Sequence, residues 1–143
     1  MSESHLQAVK KVYEAYERGD LDAVLAVLAD DIVWANPYPP HVPLAGVFEG
    51  HLAFRRFVGA IRESTESLAF EVREFVAQGD KVVVLGWERV IARPTGRVYE
   101  NPWAHVWTLR EGKACSVRVF GDTAAVGAAF QRESLGCPGT PPR

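Results

Sequence analysis

The stretch from Lys81 to Arg110, which reads KVVVLGWERVIARPTGRVYENPWAHVWTLR, decides the fold. It contains two apolar runs, 81–92 and 98–110, with the turn sequence Arg-Pro-Thr-Gly between them. A second turn signal, Glu-Gly at 111–112, leads into a third apolar run at 113–121. Short turns between apolar runs are typical of hairpins, so this stretch predicts three antiparallel strands joined in sequence order.

Helical patterns dominate the chain before this stretch. Apolar residues recur at helical spacing over residues 4–18, from Leu21 to Leu28, and over 51–64. Two further strands are predicted at 32–36 and 68–78, and the imperfect alternation of the second indicates a bulge.

Helices followed by hairpin-linked strands predict an α+β domain. A curved antiparallel sheet wrapped around the N-terminal helices would form a cone-shaped barrel with an internal pocket. Residues 37–43 are rich in proline and are expected to form a loop over the mouth of that pocket, and a last helix is predicted at 123–131. One domain therefore spans 1–131, and 132–143 is expected to be a disordered tail.

Composition excludes several classes of protein. The chain has 143 residues, a formal net charge of −2 and a pI of about 6.1, so it lacks the basic surface that nucleic-acid binding needs. It contains no apolar run long enough for a membrane span, and its N-terminus lacks the pattern of a signal peptide. Cys115 and Cys137 stand in different settings, which argues against a disulfide and favours a reduced, cytoplasmic protein.

Motifs for metals and cofactors are missing from the sequence. The histidines, at positions 5, 41, 51 and 105, are not at ligand spacing, and no glycine-rich phosphate loop or nucleophile elbow is found. We therefore expect no metal and no cofactor. Any chemistry must come from polar side chains on strands that are otherwise apolar.

Asp122 and Arg89 are two such residues. The Asp122 carboxylate could take a proton from water or an acidic carbon, or it could cap the helix that follows it. Arg89 could face the pocket and pair with Asp122, or it could face outward and pair with a surface carboxylate. Because side chains alternate along a strand, only one of Glu88 and Arg89 can face the pocket.

Asn36 shares a face of the first strand with Trp34. A buried asparagine must be hydrogen-bonded, so Asn36 could hold a water or a ligand carbonyl. The alternative is an Asx-type turn before Pro37.

Alternate positions of the strand 98–110 form a bulky face, which consists of Trp103, His105, Trp107 and Leu109. Tryptophan is enriched in interface cores, so this face could be a subunit contact, and a homodimer is expected. The pattern favours a structural role for His105 over a catalytic one. On the first helix, Tyr13 and Tyr16 are expected to pack in the core.

Several short motifs in order resemble the SnoaL-like group of the nuclear transport factor 2 superfamily, over roughly residues 5–131. The markers are Gly19-Asp20-Leu21-Asp22, Leu28-Ala29-Asp30-Asp31, Pro94-Thr95-Gly96-Arg97, Gly112-Lys113 and the strand that ends at Asp122. The resemblance implies a cone-shaped α+β barrel. Members of this superfamily include isomerases, cyclases, hydrolases, dehydratases and non-enzymatic binding modules, so the fold does not settle the function.

The chemistry of ketosteroid isomerases is not implied, because the positions of their tyrosine, base and second acid hold Val12, Asn36 and Ala104. The site resembles limonene epoxide hydrolase more closely. The water-positioning asparagine of that family falls on Asn36, its bridging arginine on Arg89 and its water-activating aspartate on Asp122.

The same resemblance implies which residues bind the substrate. Trp34, Ile91, Ala104 and Val106 would line the pocket, and His105 would face away from it. The acid of the epoxide hydrolases falls on Ile91 and their tyrosine on Trp34, so the proton donor for opening an epoxide is missing.

These observations favour a pocket protein that acts on a hydrophobic small molecule as a hydrolase, lyase, isomerase or cyclase. Asp122 would be the general base, Arg89 would hold it ionised, and Asn36 would position water or a carbonyl. The alternative is a non-catalytic ligand-binding or dimerisation module of the same fold. No nucleic-acid or membrane partner is expected.

Overall fold

The computed structural model describes residues 2–132, so most of the predicted tail at 132–143 lies outside the described residues. The order of elements along the chain is α1 (Ser2–Glu17), α2 (Leu21–Val27), β1 (Leu28–Asn36), β2 (Gly46–Glu49), α3 (Gly50–Ser64), β3 (Thr65–Gln78), β4 (Lys81–Ala92), β5 (Arg97–Arg110), β6 (Lys113–Phe120) and α4 (Thr123–Phe130). The predicted α+β fold is confirmed.

The sheet is a single open layer of six strands in the order β2-β1-β6-β5-β4-β3. The three long C-terminal strands form the predicted antiparallel hairpins. The pair β1–β6 is parallel, so the sheet is mixed rather than antiparallel throughout. The short edge strand β2 was not predicted, because it has only four residues, begins at Gly46 and is followed directly by Gly50, the first residue of α3.

The bulge expected in β3 is present twice, between Ser67 and Ala69 and between Val72 and Glu74. Bulges bend the bulged strand and increase its local twist, which helps the sheet to curve around the helices. The helices contribute apolar side chains such as Val9, Phe54 and Phe57 to one continuous core. Leu52, at the start of α3, is an exception, because 64% of its surface is exposed.

Alternation along β4 and β5 determines which side chains face the helices. Val82, Val84 and Val90 on β4 are buried. On β5 the buried side chains include Trp103 and Trp107, so the bulky face is part of the core and is not available for the subunit contact that the sequence suggested.

Close packing between these strands depends on a glycine. Gly86 lies opposite Trp103 in the β4–β5 ladder, and a Cβ atom at Gly86 would come within 2.1 Å of the indole ring. The indole therefore lies directly over the glycine backbone, which seals this side of the core. Within residues 2–132, no helix is long and apolar enough to cross a membrane.

Candidate active site

A cavity of about 530 Å³ opens between the curved sheet and the helices α1 and α3. Its walls are largely aromatic and aliphatic side chains. The polar residues that line it are Tyr13, Tyr16, Glu17, Asn36, Tyr38, Arg62, Thr65, Ser67, Glu88, Tyr99 and His105. Apolar walls with a few polar groups are typical of small-molecule sites.

One polar group of the cavity is organised by Asn101, whose side chain is fully buried on β5 opposite Glu88. The backbone N–H of Asp122 donates to Asn101 Oδ1 at 2.7 Å. A backbone N–H can only donate, so this bond fixes the orientation of the amide. Asn101 Nδ2 then donates to Glu88 Oε2 at 2.8 Å and to the Tyr38 hydroxyl at 3.0 Å. We call Tyr38, Glu88 and Asn101 the Glu88 cluster.

The chain turn after β6 fits tightly against this cluster. A Cβ atom at Gly121 would lie 2.8 Å from Asn101 Oδ1 and 2.9 Å from the Tyr38 hydroxyl. These separations are shorter than side chains tolerate, so the cluster needs a glycine at this position.

Glu88 is the buried carboxyl of the cavity. Burial raises its pKa above the usual value, although the hydrogen bond from Asn101 partly opposes that shift. Asn101 occupies Oε2, and within residues 2–132 no hydrogen-bond partner is found for Oε1. Glu88 therefore presents one oxygen that can accept a proton or hydrogen bond from a molecule in the cavity.

Tyr38 presents the complementary group. Its hydroxyl oxygen accepts the hydrogen bond from Asn101, so its own hydrogen remains available for a ligand. Burial raises the pKa of Tyr38 to about 12, so the hydroxyl stays protonated at neutral pH. The hydroxyl donor of Tyr38 and the carboxyl acceptor of Glu88 are thus both hydrogen-bonded to Asn101 Nδ2.

The proline-rich loop carries Tyr38, as the sequence predicted for a loop at the mouth of a pocket. The loop is attached to α4 by a hydrogen bond of 2.8 Å between His41 Nε2 and the carbonyl of Gly127. Pro39 packs over Gly127, where a Cβ atom would lie 3.1 Å from its ring. These contacts fix the position of Tyr38 against Asn101.

A second polar group lies on the same strand β5, around His105. The Tyr13 hydroxyl is 2.6 Å from His105 Nδ1, and Trp107 Nε1 donates to the same hydroxyl at 2.9 Å. The imidazole stacks on Trp103, with the ring centroids 4.2 Å apart. We call Tyr13, His105 and Trp107 the His105 group.

Burial lowers the pKa of His105 to about 3, because the surrounding rings cannot solvate an imidazolium. Burial also raises the pKa of Tyr13. Both members of the pair are therefore neutral at physiological pH. His105 lines the cavity, whereas the resemblance had implied that it faces away.

The structure does not bring together the three residues predicted to be catalytic. Asp122 is exposed and caps α4, with its Oδ1 accepting from the N–H of Ala125 at 2.9 Å. Arg89 is also exposed, on the outer face of β4. Among the described residues no ion pair joins Asp122 to Arg89. Asp122 is a helix cap and Arg89 faces outward, which are the alternative roles that the sequence left open for them.

Asn36 and Trp34 do line the cavity, as predicted. The Trp34 indole N–H donates to Asn36 Oδ1 at 3.1 Å, and Asn36 Nδ2 donates to the carbonyl of Leu44 at 3.0 Å. Asn36 thus links β1 to the end of the proline-rich loop. These bonds occupy both ends of its amide and leave it less free for a ligand than the sequence suggested.

Ile91, Ala104 and Val106 were expected to bind the substrate, but they lie outside the cavity lining. Val90 and His105, their neighbours in the sequence, face the cavity instead. A shift of one residue along a strand exchanges its two faces, so an alignment displaced by one position accounts for all three misplacements.

Glu88, Asn101 and Tyr38 were not predicted as site residues from the sequence. A signal for the first two was present. Glu88 has the same parity as the buried valines 82, 84 and 90 of β4, and Asn101 the same parity as Trp103 and Trp107 of β5. Tyr38 had no such signal, because a loop residue has no periodic pattern.

The sequence profile of the SnoaL-like domain matches residues 9–117. The chain belongs to the SnoaL-like family. Two solved structures similar to this SnoaL-like domain come from Burkholderia. An NTF2-like protein of B. xenovorans LB400 is 36% identical, with a TM-score of 0.85 over 92% of this chain and 98% of that chain. An NTF2-like protein of B. pseudomallei K96243 is 32% identical, with a TM-score of 0.79 over 90% and 98%.

A third similar structure is TerC co-crystallised with polyporic acid. It is 26% identical, with a TM-score of 0.75 over 89% of this chain and 98% of TerC. The comparison with curated proteins finds no match for the SnoaL-like domain. Within residues 2–132, no three His, Cys, Asp or Glu side chains are grouped so that they could hold a metal ion.

Proposed function

We propose that this SnoaL-like domain catalyses proton transfer on a hydrophobic carbonyl compound, with Glu88 as the general base and Tyr38 as the hydrogen-bond donor to the carbonyl oxygen. This is the chemistry of an isomerase, lyase or cyclase that works without a cofactor. The observation that carries the proposal is the Asn101 amide, which holds the Glu88 carboxyl and the Tyr38 hydroxyl within 3.0 Å of one nitrogen.

The proposed step involves only these two residues and the substrate. Glu88 Oε1 takes a proton from the carbon next to the carbonyl group, and the electron pair of the broken C–H bond moves to form the enolate. The Tyr38 hydroxyl donates a hydrogen bond to the developing oxyanion. In a substrate with a double bond between its β- and γ-carbons the enolate is conjugated, and return of the proton from Glu88 to the γ-carbon completes an isomerisation.

The environment of Glu88 suits this role. Its pKa is raised by burial, which makes the carboxylate a stronger base than one in water. Its neighbours in the cavity include the hydroxyls of Tyr16 and Tyr99, whose pKa values are also raised, mainly by burial and to a smaller extent by the nearby Glu88 charge. The largely apolar walls lower the local dielectric, which strengthens hydrogen bonds to the substrate oxygen.

The similarity to TerC supports a ligand of this kind. That protein was co-crystallised with polyporic acid, and 26% of aligned residues are shared. In this chain, the rings of Trp34, Phe54 and Phe57 in the cavity offer surfaces on which an organic ligand can pack.

Other functions fit the geometry less well. Opening of an epoxide, as the sequence resemblance implied, would need Asp122 and Arg89 inside the cavity, and both side chains are exposed. A non-catalytic binding module would leave a carboxyl with a raised pKa in an apolar cavity, at a cost to stability that binding of a neutral ligand does not require.

Exchange of the acidic C1 protons of 2-tetralone in deuterated water, followed by proton NMR, tests the proposal. The wild-type protein should accelerate exchange above the buffer rate. Glu88→Gln keeps the shape and removes the base, so the acceleration should fall by roughly 10²- to 10⁴-fold. Binding of 2-tetralone by the wild type without any acceleration would support the binding module instead.

Two control variants make the result specific to Glu88. Glu100→Gln makes the same change at an exposed glutamate outside the cavity lining and should exchange at the wild-type rate. Asp122→Ala removes the cap of α4 and should cost about 1 kcal/mol of stability while exchange continues. Loss of exchange in Asp122→Ala, with Glu88→Gln still active, would return the base to Asp122.

We also propose that a second copy of the chain covers the outer face of β4, β5 and β6. This face replaces the Trp103 and Trp107 face that the sequence suggested. Its apolar side chains are Val83, Leu85, Trp87, Ile91, Val98, Ala104, Val106 and Phe120, with Val98 47% and Phe120 46% exposed. A sheet face that meets water normally carries polar residues, so an apolar one fits a symmetric interface.

Sedimentation velocity over a range of concentrations tests this association. The wild type should sediment as a dimer, and Val106→Glu, which places a charge in the centre of the face, should sediment as a monomer. Arg56→Glu, on the exposed side of α3, introduces the same acid elsewhere and should leave the dimer intact. A wild-type monomer at every concentration would exclude the proposed interface.

A further inference from the structure

His105 has one ring nitrogen that the protein does not use. Nδ1 contacts the Tyr13 hydroxyl, and no hydrogen-bond partner of Nε2 is found within residues 2–132. In that part of the chain, Trp103 Nε1 is the one buried side-chain nitrogen or oxygen that is sealed from solvent and lacks a partner. His105 Nε2 is therefore not sealed, and since His105 lines the cavity, this nitrogen is accessible from it.

The hydrogen bonds around Tyr13 determine which nitrogen carries the proton. The Trp107 indole can only donate, so it occupies an acceptor site of the Tyr13 hydroxyl. The hydroxyl has a single hydrogen and one other partner, His105 Nδ1. If Nδ1 also donated, the buried hydroxyl hydrogen would have no acceptor, which is costly. The hydroxyl therefore donates to Nδ1, and the proton of the imidazole is on Nε2.

We propose that His105 is a specificity-determining residue, whose Nε2–H binds an uncharged acceptor oxygen of the ligand such as a ketone, ester or ether. The inference rests on the proposed function in one respect, namely that the cavity binds a small molecule. The relay from Trp107 through Tyr13 fixes the imidazole as a donor, so the subsite prefers acceptors to donors.

The position of this subsite determines where the ligand carries its polar groups. His105 and Asn101 are on the same face of β5, separated by about 13 Å along the strand. A ligand that fills the cavity would place its reacting carbon at Glu88 and a neutral oxygen at His105. A carboxylate at the His105 end would lack a positive partner there, because the imidazole stays neutral in its ring of aromatic side chains.

A matched pair of compounds tests the subsite without requiring turnover. Tetralin and 1-tetralone have nearly the same shape, but only 1-tetralone has an acceptor oxygen. Their affinities are measured by isothermal titration calorimetry for the wild type and for His105→Phe, which keeps a flat ring and removes the donor. We expect His105→Phe to weaken binding of 1-tetralone about fivefold to tenfold and to leave tetralin within twofold.

Two further variants strengthen the comparison. His51→Phe makes the same substitution at a histidine that bonds the carbonyl of Leu28 outside the cavity lining, and it should change neither affinity. Tyr13→Phe keeps the imidazole and removes the hydroxyl that fixes its proton, so it should weaken 1-tetralone binding less than His105→Phe does.

The proton itself can be located by nitrogen-15 NMR of the histidine side chains, which remains informative if His105→Phe fails to fold. The expected spectrum of the wild type has a protonated Nε2 and a bare Nδ1 at His105. A proton on Nδ1, or equal losses for tetralin and 1-tetralone in His105→Phe, would overturn the subsite alone. Absence of binding of both compounds to the wild type would overturn the subsite together with the cavity function. If 2-tetralone exchange were no slower in Glu88→Gln than in the wild type, the proposed base would be wrong but the subsite would stand.

Discussion

The His105 group and the Glu88 cluster are two largely buried polar arrangements that share strand β5, and they leave different atoms free for a ligand. Burial disfavours the charged form of both side chains, so it lowers the pKa of His105 and raises the pKa of Glu88. His105 then presents a fixed donor, whereas the ionised Glu88 carboxylate presents an oxygen that is a stronger base than a carboxylate in water. Burial thus produces both a group that recognises the ligand, His105, and a group that reacts with it, Glu88, depending on which atoms the neighbouring side chains occupy.

The neighbours differ in a way that explains this outcome. Tyr13 and Trp107 are held by stacking and edge contacts with other rings, so the donor at His105 is set by the rigid core. Tyr38 in the Glu88 cluster comes from a loop, and its place depends on Asn101 and on contacts with α4. We expect the first group to tolerate changes outside the core and the second to respond to changes at the chain turn after β6.

Gly121→Ala should break the Glu88 cluster alone. The added methyl group would overlap Asn101 and Tyr38, so we expect a loss of about 1–3 kcal/mol in the free energy of unfolding and a strong reduction of 2-tetralone exchange. Denaturant unfolding and proton NMR measure the two effects. Gly59→Ala is the control, because its Cβ meets nothing within 4 Å in α3. Unchanged exchange in Gly121→Ala would show that the cluster does not need this close contact.

His105→Phe should change how stability depends on pH. The unfolded chain binds a proton at His105 below its usual pKa of 6.5, whereas the folded chain resists protonation down to about 3. The wild type therefore loses stability through this group as the pH falls below 6.5, by on the order of 2 kcal/mol at pH 4.5. The variant should lack that loss, as measured by urea unfolding at pH 7 and pH 4.5. Parallel pH profiles for the two proteins would mean that His105 is protonated in the folded state.

The sequence predicted most of the fold because the elements are long and strongly periodic. The bounds of β4 were predicted without error, and those of β5 and β6 within one residue. The orientation of β4 was harder to predict, since both of its faces are apolar. Val82, Val84 and Val90 face the cavity side, and Val83, Leu85 and Ile91 face outward, so the hydrophobic pattern could not decide between them.

The candidate site was predicted only in part for the same reason. Alternation showed that either Glu88 or Arg89 faces the pocket, and the resemblance to epoxide hydrolases favoured Arg89. The structure selects Glu88. Asn101 completes the site through contacts with residues 13, 21 and 63 positions away in the sequence, and contacts at such separations leave no local pattern.

The pKa of Glu88 tests the central claim most directly. Carbon-13 NMR of the glutamate side-chain carboxyls, titrated from pH 3 to pH 9 with Glu88→Gln to assign the signal, gives this value in the wild type. A raised pKa means that the stability from Glu88 is fully present below 4.5 and is lost as the pH rises through the folded value, so Glu88→Gln should gain stability relative to the wild type above pH 4.5. We predict a midpoint above 4.5, and a midpoint at or below 4.5 would contradict the assignment of Glu88 as the buried base of this cavity.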